Sequence, residues 1–304
     1  MIHILSLNPA IDRTIWLESL KPGDINRADA AVNIPGGKGV NVAKVLRKLN
    51  MSVLISGFIG GNPGRTIEEY LEEIGANCAF TKISNDTRIN TNIIDNSGAV
   101  TEVLDPGPVI TVKEYEEFCK AFIQNLSVTD ILVLTGSIPK GIPVEIYKDI
   151  IETARKFNIK TILDASGDAL KAGIEAKPNL VKPNSKELSA LINKNISTDE
   201  DIREGIDYLL NKGIQKVVVS LGDRGAVYSD SDDTFLTICS PKINALNTVG
   251  CGDTMVASMA SSFLNEEETD TMIKKAVALA SASAATKENG DFSMELYLKN
   301  LEEM

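Results

Sequence analysis

The chain has 304 residues, 43% hydrophobic, 24% charged and only 5% aromatic, the composition of an ordinary soluble globular protein with an aliphatic core. Its net charge of −11 argues against wide contact with nucleic acid or an anionic membrane. Any phosphate-bearing ligand must then be held by a few local cations or by backbone amides. The four cysteines (Cys78, Cys119, Cys239, Cys251) form no CxxC pair, which suits reduced thiols in a cytosol and not a disulfide framework or zinc site. No basic segment precedes a long apolar stretch at the amino terminus, and no run of about eighteen apolar residues occurs, so neither a signal peptide nor a membrane span is expected.

Residues 2–7 read as a buried strand ended by Asn8-Pro9-Ala10, and 11–17 as a second short extended piece. The single histidine, His3, falls inside the first strand. Ser-His, Cys-His and His-rich metal chemistry therefore lack their usual partner. Asp12 stands just after that strand, where a carboxylate can accept sugar hydroxyls or simply stabilise a turn. Residues 30–34 look extended, and Pro35-Gly36-Gly37-Lys38-Gly39-Val40-Asn41 opens a helix carrying Val42, Leu46 and Leu49. This glycine-rich entry lacks the GxxxxGK[ST] spacing of a P-loop. It suits a polyhydroxylated ligand, or else is a plain loop with a solvated lysine.

A strand over 53–58 and a helix with Ile67, Leu71 and Ile74 inward follow, stopped at Gly75. Residues 88–104 break the pattern: Ile89, Thr91 and Ile93 alternate with polar residues, Asp95-Asn96-Ser97-Gly98 turns, and 100–104 alternates again. That is a hairpin, read with 12–17 and 28–34 as a small sheet interrupting the main fold. Arg88 begins it, with a fork suited to bidentate phosphate binding, although a solvated arginine is the plainer account.

From Thr111 strands and helices alternate. Thr111 and Glu114 have capping-box spacing, as do Thr198 and Asp201. Strands over 131–134, 161–163, 179–181 and 216–220 end respectively in Thr135-Gly136-Ser137-Ile138-Pro139, Asp164-Ala165-Ser166-Gly167, Lys182-Pro183-Asn184 and Leu221-Gly222-Asp223-Arg224-Gly225. Alternation of this kind predicts a mostly parallel sheet with helices on both faces and ligands outside the carboxyl ends of the strands. Asn184 and Glu187 could face one magnesium ion through water, or form a helix cap; the cap is the simpler reading. Ser220 to Gly225 could bring amides near phosphates or ribose, or be a tight turn.

The last motif is Asn247-Thr248-Val249-Gly250-Cys251-Gly252-Asp253-Thr254, followed by the apolar run 255–264. Glycines ahead of a helix aim its free first-turn amides at one point, a natural anion site. A carboxylate there would repel phosphate. Asp253 makes sense if it takes a proton from a group attacking that phosphate, though an N-terminal cap is the alternative.

Taken together, Gly36 to Asn41, Lys182 to Glu187 and Asn247 to Thr254 resemble the ribokinase-like, or PfkB, family of carbohydrate kinases, across essentially the whole chain. Asn8 to Asp12, Asn26-Arg27, Thr87-Arg88-Ile89-Asn90 and Gly136 to Pro139 point to its phosphosugar branch, and Thr87 to Asn90 tilts the reading to fructose 1-phosphate. The resemblance implies a three-layer α/β/α sandwich spanning 1–304, with a β lid formed by about 12–34 and 88–104 that often pairs two subunits in relatives. It implies ATP and Mg2+ as cofactors, a cytoplasmic location, and fructose 1-phosphate, tagatose 6-phosphate or fructose 6-phosphate as acceptor. Asp253 would be the base, and the amides of Gly250, Cys251 and Gly252 the anion hole. Asp12, Gly37, Lys38, Asn41 and Ser137 would hold the sugar, with Arg88 and Arg27 on its phosphate. Asn184, Ser220, Gly222, Gly225 and Gly252 would line the nucleotide site, and Asn184 with Glu187 would organise magnesium. Cys251 stands where the family usually has Ala or Ser, so inhibition by thiol reagents is an expectation. A catalytically silent sugar-phosphate or nucleotide sensor is the rival of another class. A Rossmann oxidoreductase would need GxGxxG after the first strand.

Overall fold

The structure is a computed structural model that describes residues 1–231 and 234–304. In chain order, β1 (Ile2–Ser6) leads into β2 (Ala10–Leu17) and β3 (Ala30–Gly36), then α1 (Lys38–Lys48), β4 (Val53–Ile59), α2 (Gly61–Glu73) and β5 (Asn77–Lys82). The hairpin β6 (Arg88–Asp95) and β7 (Val100–Val103) follows, turning at Gly98 with φ +82°. Regular alternation then runs α3 (Val112–Asn125), β8 (Ile131–Thr135), α4 (Ile146–Lys156), β9 (Lys160–Asp164), α5 (Gly167–Glu175), β10 (Leu180–Val181), α6 (Ser185–Ile192), α7 (Asp199–Asn211) and β11 (Lys216–Ser220). The chain ends with β12 (Ala226–Asp230), β13 (Phe235–Ile238), α8 (Cys251–Leu264), α9 (Thr269–Ala284) and α10 (Met294–Glu302).

The main sheet has the order β13-β12-β11-β10-β9-β8-β1-β4-β5, with β5 through β11 parallel and the last two strands antiparallel. Strand order reverses at β1: the chain leaves it for β4 on one side and later for β8 on the other. A crevice opens where neighbouring connections diverge in this way, at the carboxyl ends of the strands. Alternate residues face opposite sides of a strand, and both faces are apolar. Ile2, Ile4, Val53, Ile55 and Val133 pack with α1, α2 and α8 to α10. Leu5, Leu7, Phe58, Leu132 and Leu134 pack with α3 to α7. The result is a three-layer α/β/α sandwich of ribokinase-like type.

The second sheet, β3-β2-β6-β7, stands apart from these layers. Its strands match the alternating 12–17, 30–34 and 88–104 segments. β2 and β6 pair in parallel, with Asp12 opposite Asn90. Capping boxes form at Thr111 with Glu114 and at Thr198 with Asp201. His3 is wholly buried; its Nε2 lies 2.7 Å from Ser56 Oγ, its ring 5.2 Å from that of Phe122, and burial lowers its pKa to about 3. It is a neutral strand residue remote from the crevice. Two elements carry weak sequence signals. β5 is a half-buried edge with mixed polarity, and α5 contains two glycines in a short apolar pattern. No helix among the described residues is long and apolar enough to cross a membrane.

Candidate active site

A cavity of about 980 Å³ lies at the strand carboxyl ends, under the small sheet. Two helices begin at its floor, each after a left-handed glycine: Gly37 (φ +85°) before α1 and Gly250 (φ +83°) before α8. A side chain is strained at such φ, and a Cβ on Gly37 would also lie 3.3 Å from Pro9 Cα. Neither helix start is capped by a side chain. The first α8 backbone bond runs from Thr254 N to Gly250 O, so the amides of Cys251, Gly252 and Asp253 remain free at the positive end of the helix dipole. Asn247 shapes the approach: its Oδ1 accepts from Val249 N at 3.0 Å, while Nδ2 donates to Lys287 O and to Asn289 Oδ1.

Asp253 is buried between these helix starts, and Asn41 Nδ2 donates to its Oδ2 at 2.9 Å. Burial raises its pKa to about 6, with the Asp164 charge adding to the rise and Lys38, Asn41 and Lys182 opposing it. A carboxylate so placed is ionised at neutral pH yet basic enough to take a proton. Asn41 Oδ1 is itself buried without a partner, an acceptor left for a ligand of the cavity that Asn41 lines.

Asp164, at the end of β9, organises two cations. Lys38 Nζ donates to its Oδ2 at 3.1 Å, and Lys182 Nζ is ion-paired 3.1 Å from Oδ1. Burial would raise the Asp164 pKa, but Lys182 and Lys38 outweigh it and hold the carboxyl at about 2. Burial likewise opposes the charge on Lys38, and Asp164, Asp253 and Glu187 together reverse that effect and raise its pKa. Two fixed cations thus stand by the free amides of α8, and a Cβ on Gly252 would lie 3.5 Å from Lys182 Nζ.

Under the small sheet, Asp12 Oδ1 accepts from Asn90 Nδ2 at 3.0 Å, and a side chain on Gly36 would collide with Asp12. Arg88 lines the cavity, but its Nη1 donates to Asp105 O and its Nη2 to Asn8 O. The buried Nε has no partner, and each terminal nitrogen keeps a second N–H beyond its carbonyl bond. Ser137 is exposed beside the cavity and accepts from Asn8 Nδ2 at 3.1 Å. Arg27 is exposed in the β2–β3 connection, outside the cavity lining.

At the other end the walls include Asn184, Ser220, Gly222 and Gly225, together with Ser240, Lys242 and Ser281. Asn184 caps α6: its Oδ1 accepts from Lys186 N and Glu187 N, and Glu187 Oε2 accepts from Asn184 N, each at 2.9 Å. The capping box therefore forms, and Glu187 lies outside the cavity lining. Asn8, Asn90, Asp164, Lys182, Lys242 and Asn289 belong to the site without having stood out as individual residues. Asn8, Asn90 and Lys182 belong to stretches that carry the resemblance; Asp164 is marked only by ending a strand, and Asn289 lies in the turn after α9.

The fold bears on the thiol expectation for Cys251. Burial, with the Asp253 charge, pushes its thiol up to about 11. The reactive thiolate is therefore a minor form at neutral pH. Iodoacetamide at pH 7.5 is expected to modify exposed Cys239 well before Cys251, with activity retained; peptide mapping that finds Cys251 labelled first would contradict this.

A three-layer sandwich with a covered crevice, two glycine-led helix starts and one buried, basic carboxylate defines a ribokinase-like carbohydrate kinase. The family model for pfkB family carbohydrate kinases matches residues 5–295, and the chain belongs to that family. It is 35% identical over 300 residues to tagatose-6-phosphate kinase of Staphylococcus epidermidis, covering 98% of this chain and 96% of the relative. Among solved structures, phosphofructokinase-2 from Escherichia coli is similar with a TM-score of 0.93 at 31% identity, covering 99% and 98% of the two chains. A possible 1-phosphofructokinase from Thermotoga maritima gives 0.89 at 28%, covering 99% and 97%.

Proposed function

We propose that this kinase transfers the γ-phosphoryl group of ATP to a hydroxyl of a ketohexose phosphate, and that fructose 1-phosphate, yielding fructose 1,6-bisphosphate, is its acceptor. The observation that carries the reading is Asp253: buried, hydrogen-bonded by Asn41, with a pKa near 6, beside free helix amides. A sensor would bind phosphate better without that charge.

In this reading Asp253 accepts the proton of the attacking hydroxyl. The amides of Gly250, Cys251 and Gly252, with Lys38 and Lys182, meet the charge spreading over the transferring phosphoryl. Asp12, Asn41 and the Gly37 backbone orient the sugar. The remaining Arg88 N–H groups and its neighbour Asn90 meet the sugar's existing phosphate or hydroxyls, with Ser137 at the rim; Arg27 reaches that phosphate only if the β2–β3 connection folds inward. Asn184, Ser220, Gly222 and Gly225 border the nucleotide. No group of three His, Cys, Asp or Glu side chains clusters among the described residues. Asn184, in the cavity wall, and Glu187, which caps the same helix, would hold Mg2+ through water beside the nucleotide phosphates. The bound ion would neutralise phosphate charge.

The small sheet acts as the lid. Pairing of Asp12 with Asn90 and Ile34 puts Trp16 and Val32 on the cavity-facing side, where they are 38% and 45% exposed. A second copy joined through the lids would cover them. ATP supply implies the cytoplasm as the working compartment.

ADP release with ATP and magnesium should be measured on fructose 1-phosphate, fructose 6-phosphate, tagatose 6-phosphate, fructose and ribose. A kcat/KM for fructose 1-phosphate at least tenfold above the rest is expected. The 35% identity to a tagatose-6-phosphate kinase favours tagatose 6-phosphate as the second reading; preference for it would replace the acceptor and keep the chemistry. Silence on all five would leave the sensor.

A further inference from the structure

Behind the anion hole lies a second cavity of about 290 Å³, lined by Lys44, Tyr70, Glu288 and Asp291 among others. Asn289 is the residue common to its lining and that of the large cavity. Lys44 is 8% exposed. Its ammonium makes one long hydrogen bond, 3.4 Å to Asn289 O, and lies 5.4 Å from the Tyr70 ring centre. One turn further along α1, Lys48 is paired with Asp291; Lys44 has no ion-pair partner among the described residues. Burying a lysine with no carboxylate in ion-pair contact is costly, so its placement between Asn289 and Tyr70 calls for an explanation.

We infer that Lys44 is a positioning residue, its ammonium holding the 287–291 turn and, through Asn289, the glycine amides that bind the transferring phosphoryl. The connections are short. Asn289 Oδ1 accepts from Asn247 Nδ2 at 2.9 Å, and Asn247 Oδ1 accepts from Val249 N. A Cβ on Gly250 would lie 3.4 Å from Asn289 Cβ, and one on Gly290 would lie 3.1 Å from both Asn41 Cα and Lys44 Cδ. The turn is therefore clamped between the helix that carries Asn41 and the glycines that start α8. Asn41 itself holds Asp253. Lys44 thus ties the base and the anion hole to one helix, and displacement of either by a fraction of an ångström slows transfer.

The clamp is poised to titrate. Burial lowers the Lys44 pKa to about 8, against the carboxylates of Asp12, Glu288 and Asp291. Arg47 and Lys48 share its helix, and Tyr70 faces it from α2 with Glu73 nearby. Loss of the proton as pH rises through about 8 removes the charge from the bond to Asn289 and from the Tyr70 face.

The inference rests on the kinase reading for its kinetic arm but not for its structural one. Lys44→Met is expected to lower kcat by about 10–100-fold with both KM values within about threefold. Lys44→Arg should recover most of that rate and move the alkaline limb of the wild-type profile, near pH 8, up by more than one unit, because arginine stays charged. Hydrogen exchange of residues 247–252, without ligands, should be at least severalfold faster in Lys44→Met. Should that variant not fold, Lys44→Gln is measured instead. Unchanged exchange overturns the positioning role whatever the activity, as does a wild-type alkaline limb that Lys44→Arg leaves in place. Faster exchange in a protein inactive on every sugar tested would uphold the clamp and remove the kinase reading.

Discussion

Asp253→Asn is expected to slow phosphoryl transfer by about two to four orders of magnitude while ATP still binds. The amide matches the carboxylate in size, and the oxygen it keeps can still accept from Asn41 Nδ2, so the fold around α8 is preserved. What disappears is the ability to take a proton. The wild-type profile supplies the second half of the test. With burial raising the Asp253 pKa to about 6, kcat/KM should fall tenfold per pH unit below about 6, as protonation removes the base. Single-turnover rates at saturating ATP, compared for both proteins between pH 5 and 8, separate chemistry from binding. Near-normal turnover in the variant, or a wild-type acid limb that survives in it unchanged, would take Asp253 out of the role of base.

The second large effect is on stability as well as rate. Asp164 is fully buried between Lys182, itself 4% exposed, and Lys38. Asp164→Asn leaves a buried ammonium without its counter-charge, which costs about 3–5 kcal/mol. For a chain of 304 residues that corresponds to a fall in Tm of about 5–8 °C, at roughly 1.6 °C per kcal/mol. The double variant Asp164→Asn, Lys182→Met removes the stranded charge. It should regain much of the Tm by thermal unfolding while staying nearly inactive, since Lys182 faces the anion hole. A double variant no more stable than the single one would show that the buried charge is not the source of the loss. The sign with pH follows from a depressed carboxyl. The unfolded group titrates near 3.8 and the folded one at about 2. The Asp164 contribution is therefore present in full above about 3.8 and lost as pH falls through about 2. Removing Asp164 also withdraws a negative neighbour from Asp253, so any remaining activity should show its acid limb at lower pH.

Much of this molecule is legible along the chain. Strand-helix alternation from Thr111 onward carries its own periodicity and its own caps, and the boxes at Thr111, Asn184 and Thr198 form where the spacing puts them. The break in that pattern at 88–104 marks the small sheet, because a hairpin needs period-two alternation and a turn that tolerates φ above zero at Gly98. Gly37 and Gly250 declare themselves for the same reason: each has positive φ and opens a helix.

Other features depend on groups remote in sequence. Asp253 reads locally as a plausible helix cap; its basicity arises from burial and from Asp164, Lys38 and Lys182, up to 215 positions away, which no local pattern records. Arg88 presents a free fork to the reader of the sequence, but the fold turns both terminal nitrogens to the carbonyls of Asn8 and Asp105. Cys251 reads as a thiol beside an anion site, and burial with the Asp253 charge raises its pKa and so disfavours the thiolate. The sequence by itself determined the layered α/β architecture, the small sheet and the two glycine-led helix starts, because periodicity, caps and positive φ are short-range demands on neighbouring residues. The tertiary structure alone decided which charges share a cavity and which proton each holds, because electrostatic energy depends on distances in space and on burial.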